Sequence, residues 1–272
     1  MSARVLREGR VRLWVEPGDR GLAYGDGVFE TLLVHRGQMV WWHEHWQRLL
    51  RGAQRLGLPV PDETEVRREC IAMLSGSGSM VLKIVLTRGS GGRGYEPPAD
   101  ATPTVVLSTH PAPEAAARGL HLRWARTNLA MQPALAGIKH LNRLEQVLAR
   151  AEWRDAEIDE ALMCDSEDRV VSAISANLFV LVGGRWLTPS VERCGVAGVA
   201  RDWLLANVPG AAVAELSAAE VSHADAIFLC NSVRGILPVR RLGMREWPRD
   251  DAVAPLRALL AGAQPAFSSG EH

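Results

Sequence analysis

Between 136 and 150 the chain reads "AGIKHLNRLEQVLAR", and this stretch holds a residue type used almost nowhere else. Lysine and arginine together number 31, yet only Lys83 and Lys139 are lysine. Arginine carries charge but keeps its proton, so it cannot serve as an amine nucleophile; lysine can. Attack on an aldehyde needs the free amine, and a lysine at its ordinary pKa of about 10.4 is almost wholly protonated at neutral pH. Lowering that value by about three units takes roughly 4 kcal/mol, from burial or from neighbouring cations. His140 and Arg143 supply positive charge nearby in the chain. Lys139 is therefore the first candidate for chemistry, set against the plainer account of a surface lysine on an amphipathic helix. Lys83, in "VLKIVLTR", is equally rare, but nothing beside it in sequence suggests a reaction.

A lysine that condenses with a carbonyl points to pyridoxal 5′-phosphate, which needs a phosphate cup and a partner for its ring nitrogen. "CGVAGVAR", 194–201, has the composition of such a cup. Gly195 and Gly198 let the backbone come close, and the amides of Val199 and Ala200 would open a helix whose positive end favours a dianion. Small-residue turns before helices are common, so the segment is not specific alone. Arg48, in "HWQRLLRGAQRL", either supplies counter-charge or lies on a solvated helix face. "HEH" at 43–45 lacks a cysteine or acidic partner at ligand spacing, which argues against a metal.

The elements that must position these residues follow from periodicity. "RVRLWV" and "VFETLLVHRGQMVWW" read as strands, the second broken by a turn at "HRGQ". "HEHWQRLLRGAQRLGL" carries Trp46, Leu49, Leu50, Ala53 and Leu56 at helical spacing, and a second helix opens with Asp62 and Glu65 in a capping-box arrangement. "SMVLKIVLTRG" and "TPTVVLSTH" are β-rich runs on either side of the glycine-rich "RGSGGRGYEPP". "PAPEAAARG", 111–119, has the composition of a linker, dividing a small domain, 1–110, from a larger one, 120–272. There, "LHLRWART" reads as a strand and the Lys139 stretch as a helix with Leu141, Leu144, Val147 and Leu148 on one face. "EALMCD", "VVSAISANLFVLV" and "RWLTPS" form a meander; "VARDWLLANV" and "DAVAPLRALLAGA" are helices, and "AIFLCNS" and "GILPVRRLG" are late strands. Strands and helices mix without regular alternation, so the class is α+β with two domains.

Composition narrows the setting. Formal net charge is zero, which disfavours a whole-surface role with nucleic acid or anionic lipid. No apolar run nears the roughly 20 residues that span a bilayer, and no export signal is evident. Four scattered cysteines suit a reduced, cytoplasmic protein.

Seven ordered segments carry a resemblance. "DRGLAYGDGVFETL" (19–32), "HWQRLL" (45–50), "RGSGGRGYEPP" (88–98), "GIKHLNRLEQVLAR" (137–150), "SANLFV" (175–180), "GVAGVAR" (195–201) and "NSVRGILPV" (231–239) together resemble the fold-type IV pyridoxal-phosphate enzymes. That family includes branched-chain and D-amino-acid aminotransferases. "KHLNRLEQVLAR" and "RGSGGRGY" are most similar to its 4-amino-4-deoxychorismate lyases, which eliminate pyruvate to give p-aminobenzoate for folate. The resemblance implies that Lys139 is the Schiff-base lysine and general acid/base. It implies that Arg48, the amides of Val199 and Ala200, Gly198 and Ser232 hold the phosphate, with Asn177 beside the cofactor and Asn231 bordering the substrate. It further implies a cytoplasmic homodimer whose active site lies between the domains, with one loop lent by the partner subunit.

Two departures carry information. The family places a glutamate five residues before the Asn of "NLF", where it protonates the pyridine nitrogen; here that residue is Ser172. A hydroxyl can donate to a neutral ring nitrogen without protonating it, leaving a milder electron sink. Amino-group transfer gains most from the protonated ring, whereas elimination of pyruvate is driven by the aromatic product, so Ser172 favours the lyase reaction. A shifted register would put Ser175 in that role instead. Ala200 stands where the family has a hydroxyl residue, losing a phosphate bond of about 1–3 kcal/mol.

The lyase substrate carries two carboxylates, which the arginine fork reads well. Arg88, Arg93 and Arg234 are the candidates, each against the alternative of an ordinary surface arginine. Tyr24 and Asn142 are further candidate substrate contacts, while Glu30 and Asp26 lie near without an assigned role. Rival readings are a D-amino-acid or branched-chain aminotransferase, and a homologue that lost catalysis and acts as a binding protein.

Overall fold

A computed structural model of the protein describes residues 2–74, 78–113 and 118–268. The chain divides into two units, one of Met1–Pro113 with Ile138–Asn142, the other of Glu114–Gly137 with Arg143–Glu271. Residues 114–117 of the expected linker lie outside the described residues. Among the described residues no helix is long and apolar enough to cross a membrane.

In the first unit β1 (Ala3–Arg7), β2 (Arg10–Arg12), α1 (Arg20–Tyr24), β3 (Gly27–His35), β4 (Gln38–Met39), α2 (Trp42–Leu56), α3 (Glu63–Ile71), β5 (Met80–Thr87) and β6 (Thr104–Pro111) follow in order. The strands make one antiparallel sheet, β2-β1-β6-β5-β3-β4. Alternation along β3 and β5 puts Val28, Leu32, Leu82, Ile84 and Leu86 on one buried face. Helix α2 covers it with Trp46, Leu49 and Ala53, and comes so near at Gly52 that a Cβ there would lie 3.0 Å from Val28 Cγ1. Each leucine so buried contributes about 1.5–3 kcal/mol. The opposite face, with Phe29, Thr31, Lys83 and Val85, remains half-buried.

Local chemistry explains where these elements stop. Arg36 and Gly37 both take positive φ, 50° and 75°, as a tight hairpin between β3 and β4 requires. Asp62 caps α3 by accepting from the Glu65 amide at 2.9 Å. The run "RVRLWV" makes only a three-residue strand, since Leu13 and Trp14 leave the sheet and are exposed. Helix α1 has no apolar periodicity to betray it; Asp19 caps it through the Gly21 amide.

The Lys139 stretch departs from expectation. Strand β4 pairs with β3 only at Val34 and His35, which would leave the rest of that edge bare. Residues 138–142 cover it instead. Phe29 N donates to Lys139 O at 2.9 Å, Leu141 N donates to Gly27 O at 3.0 Å, and Val28 bridges His140. Lys139 thus lies on extended backbone, and the helix begins only at Leu144, beyond Gly137 at φ 78° and the edge pairing.

The second unit comprises β7 (Leu120–Trp124), α4 (Leu144–Arg150), β8 (Glu160–Cys164), β9 (Val170–Ala173), β10 (Asn177–Val182), β11 (Arg185–Pro189), α5 (Val199–Asn207), β12 (Ala212–Ala214), α6 (Ala218–His223), β13 (Ala226–Asn231), β14 (Gly235–Leu242), β15 (Arg245–Glu246) and α7 (Ala254–Ala263). Its sheet runs β12-β11-β10-β13-β14-β7-β8-β9, with β15 on β14. Leu122, Leu162, Leu178, Val180 and Leu229 centre the core. "VVSAISANLFVLV" proves to be two strands, with residues 174–176 turning between β9 and β10. On α4 the apolar face is open: Leu144, Val147 and Leu148 are 75%, 59% and 60% exposed.

Candidate active site

In the first unit Lys139 extends from the covered edge of β3, and its Nζ sits 4.3 Å from the centroid of the Phe29 ring. On the other face of β3, Glu30 points into α2. Arg48 Nε donates to Glu30 Oε1 at 2.8 Å and a terminal Arg48 nitrogen donates to Oε2, while His45 Nδ1 meets Oε2 at 2.6 Å. Spacing of three residues on α2 puts His45 and Arg48 on one side of the helix. All three residues are buried. Burial pulls the Glu30 carboxyl upward, and Arg48 and then His45 outweigh it, taking its pKa from 4.5 to about 2. Burial holds His45 below its ordinary value against the pull of Glu30, and the charges of Arg48 and Lys139 add to the lowering. Arg48 is thus a fixed cation with one edge, two donors, turned to Glu30. Glu30, left without a role in the sequence, is what fixes it.

A second charged network anchors the glycine-rich loop. Asp26 accepts from Arg20 Nε at 2.9 Å and from Arg88 Nε at 2.7 Å. Arg88 also donates to the carbonyls of Leu56 and Gly57, closing the end of α2, so its guanidinium is committed to the protein itself. Arg20, buried beneath the loop, donates to Gly94 O at 3.0 Å and Tyr95 O at 2.9 Å. Its guanidinium lies 4.9 Å from the Tyr24 ring, which in turn tilts against Tyr95 at 5.4 Å. Arg93 is exposed on this loop. Asn142 donates to Gly25 O at 3.2 Å and is exposed; it does not share a helix with Lys139.

In the second unit Gly198 caps α5 with no side-chain hydrogen bond, so the first-turn amides of Val199 and Ala200 open the helix without an internal side-chain acceptor. A Cβ on Gly198 would come within 2.0 Å of Asn177 Oδ1, and Asn177 Nδ2 donates to Val196 O at 2.9 Å. Asn177 therefore presses the turn into shape. Ser232 is buried in the turn after β13, and Asn231 Oδ1 accepts from the amides of Val233 and Arg234.

The place of the absent glutamate is clear from register. Ser172 lies opposite Met163 on β9, half-buried. Ser175, the alternative, gives its hydroxyl to Glu160. Glu160 does not stand in at 172: it shares a face with Leu162 and Ala173, the face opposite to Ser172. Burial raises the Glu160 pKa against the bonds from Ser175 and Ala161 and the charge of Arg234.

Residues 27–242 match the amino-transferase class IV family. The chain belongs to that family. As a class IV protein it is similar to an aminodeoxychorismate lyase of Vibrio harveyi, 35% identical over 253 residues that cover 90% of this chain and 93% of that one. It is similar in structure to 4-amino-4-deoxychorismate lyase from Pseudomonas aeruginosa, with TM-score 0.88, 43% identity, and 96% and 99% of the two chains covered. A hypothetical aminotransferase from Mycobacterium tuberculosis in its PLP-bound form shares the fold at TM-score 0.80 and 22% identity, over 98% and 99% of the chains. The architecture is fold-type IV, and the class IV family is pyridoxal-phosphate dependent.

The residues suit such a cofactor. An amine stands at 139 on the Phe29 ring, and Arg48 is a buried fixed cation. The opening of α5 is shaped around a glycine that admits no Cβ.

Proposed function

We propose that this protein is a 4-amino-4-deoxychorismate lyase that releases pyruvate and leaves p-aminobenzoate, for folate synthesis in the cytoplasm. The observation that carries the reading is near full-length likeness, at 43% identity, to a lyase of known structure. Pyridoxal phosphate, when bound, supplies a carbonyl for the substrate amine and a sink for electrons. Arg48, the amides of Val199 and Ala200, and Ser232 hold its phosphate, with Gly198 and Asn177 shaping the turn. Lys139 Nζ takes the proton from substrate C4, and either it or a water protonates the departing enolpyruvyl group. Ser172 donates a hydrogen bond at the ring nitrogen without giving up a proton, which suits elimination to an aromatic product. Arg88 being committed to Asp26 and α2, Arg93 and Arg234 remain the arginine candidates for a substrate carboxylate, and Tyr24, Asn142 and Asn231 are further candidate contacts.

The partner is a second copy of the chain. Leu144, Val147 and Leu148 line one exposed side of α4 at helical spacing, an apolar stripe that a protein interface would cover.

The test supplies aminodeoxychorismate and measures pyruvate. Wild-type protein should produce it and absorb visible light from bound cofactor, and Lys139→Ala should lose both. Turnover of an amino donor with 2-oxoglutarate, without pyruvate release, would establish an aminotransferase instead; a colourless protein that takes up no cofactor would establish a binding protein. Ser172→Glu, assayed for both activities, should gain amino transfer relative to elimination.

A further inference from the structure

The two lysines of the chain, so far apart in sequence, converge on one side chain. Lys139 Nζ is 4.3 Å from the Phe29 ring centroid and Lys83 Nζ is 5.3 Å from the same centroid. The two nitrogens can be no farther apart than those distances combined.

Sheet register explains the convergence. Thr31 on β3 lies opposite Lys83 on β5, Phe29 lies opposite Val85, and Ser108 on β6 flanks Lys83 from the other side. Alternation therefore places Phe29, Thr31, Lys83, Val85 and Ser108 on the face turned away from α2. Every one of them is half-buried. Lys139 reaches the same ring from the covered edge.

This arrangement leaves a charge unmatched. Glu30, the acid nearest along β3, points to the opposite face and is spent on Arg48 and His45. Among the described residues Lys83 has no carboxylate within ion-pair distance; its side-chain contact is the Phe29 ring. A ring face attracts an ammonium only modestly. A half-buried cation in that position calls for an anion from outside the protein.

We propose that Lys83, brought beside Lys139 by the Phe29 ring, binds a carboxylate of the substrate. The proposal rests on the lyase reading for the identity of the substrate, though not for the charge it must carry.

The experiment uses the cofactor-loaded protein and benzene-1,3-dicarboxylate as an unreactive dianion, with the neutral benzene-1,3-dicarboxamide as control, both by titration calorimetry. Lys83→Met keeps the length of the side chain and removes its charge; Lys83→Arg keeps a charge. The dicarboxylate should bind Lys83→Met about tenfold more weakly than wild type and Lys83→Arg within about threefold, with the diamide alike in all three. In the lyase assay Lys83→Met should raise KM by about the same factor, with a smaller effect on kcat. Equal dicarboxylate binding by Lys83→Met and wild type overturns the proposal, as does wild type that binds none. So does equal binding accompanied by a displaced pH midpoint of the visible absorbance, because Lys83 would then act on Lys139 rather than on a ligand. Should wild type release no pyruvate while Lys83→Met still loses the dicarboxylate, the lyase reading falls and the anion site stands.

Discussion

Glu30 is ionised deep in the first unit, and its titration can be read in the stability of the fold. Its pKa falls from 4.5 to about 2. A carboxyl lowered by folding contributes fully above 4.5 and loses that contribution as pH falls toward 2, roughly 3 kcal/mol in all. His45, also lowered, has the same sign: the unfolded chain takes its proton first, so stability starts to decline below pH 6.5. Urea midpoints should therefore decrease from pH 6.5 downward and fall more steeply below 4.5. Glu30→Gln removes the carboxylate that faces buried Arg48 and should cost about 3–5 kcal/mol at neutral pH. It should also flatten the acid limb; a variant whose limb keeps the wild-type steepness would contradict this account. Arg48 could be singled out in the sequence as a candidate cation for a phosphate, but its burial and its partnership with Glu30 could not. Strand residue and helix residue meet only through the packing of α2 on the sheet, which short-range spacing does not record. Lys83 was passed over for the same reason, since its companion Phe29 lies on another strand.

Elements do the positioning, and two of them show how. The opening of α5 could be anticipated from "GVAGVAR", because glycine and small residues before an apolar helix have a local signature. What makes Gly198 obligatory is Asn177 on a neighbouring strand, whose Oδ1 occupies the space of a side chain. Gly198→Ala must either break the Asn177–Val196 bond or shift the first turn of the helix. We expect cofactor to bind it about tenfold more weakly in equilibrium dialysis; unchanged retention would show that the turn does not depend on the close approach. The Lys139 segment was misread as helix because its apolar spacing runs unbroken from Leu141 to Leu148. Periodicity cannot see an unpaired strand edge, and that edge claims residues 138–142 before the helix begins.

At the scale of the molecule, the stripe on α4 is what the amphipathic pattern really recorded. Apolar residues at i, i+3 and i+4 announce a buried face but not whose surface buries it. With a formal charge of zero, the chain has no net repulsion to keep copies apart. Val147→Asp places a charge in the middle of the stripe and should convert the proposed dimer to monomer by sedimentation velocity. A variant that sediments like wild type would remove α4 from the interface.

The detour of residues 138–142 into the first unit bears on how the protein is made. A ribosome has delivered all of β1 to β6 once residue 111 emerges, yet the strand bearing Phe29 and Glu30 still shows bare amides and carbonyls to whatever chain passes. The unit is closed only after Leu141 has been synthesised, so the segment that carries Lys139, to which we assign the chemistry, is also the stitch that finishes the earlier half.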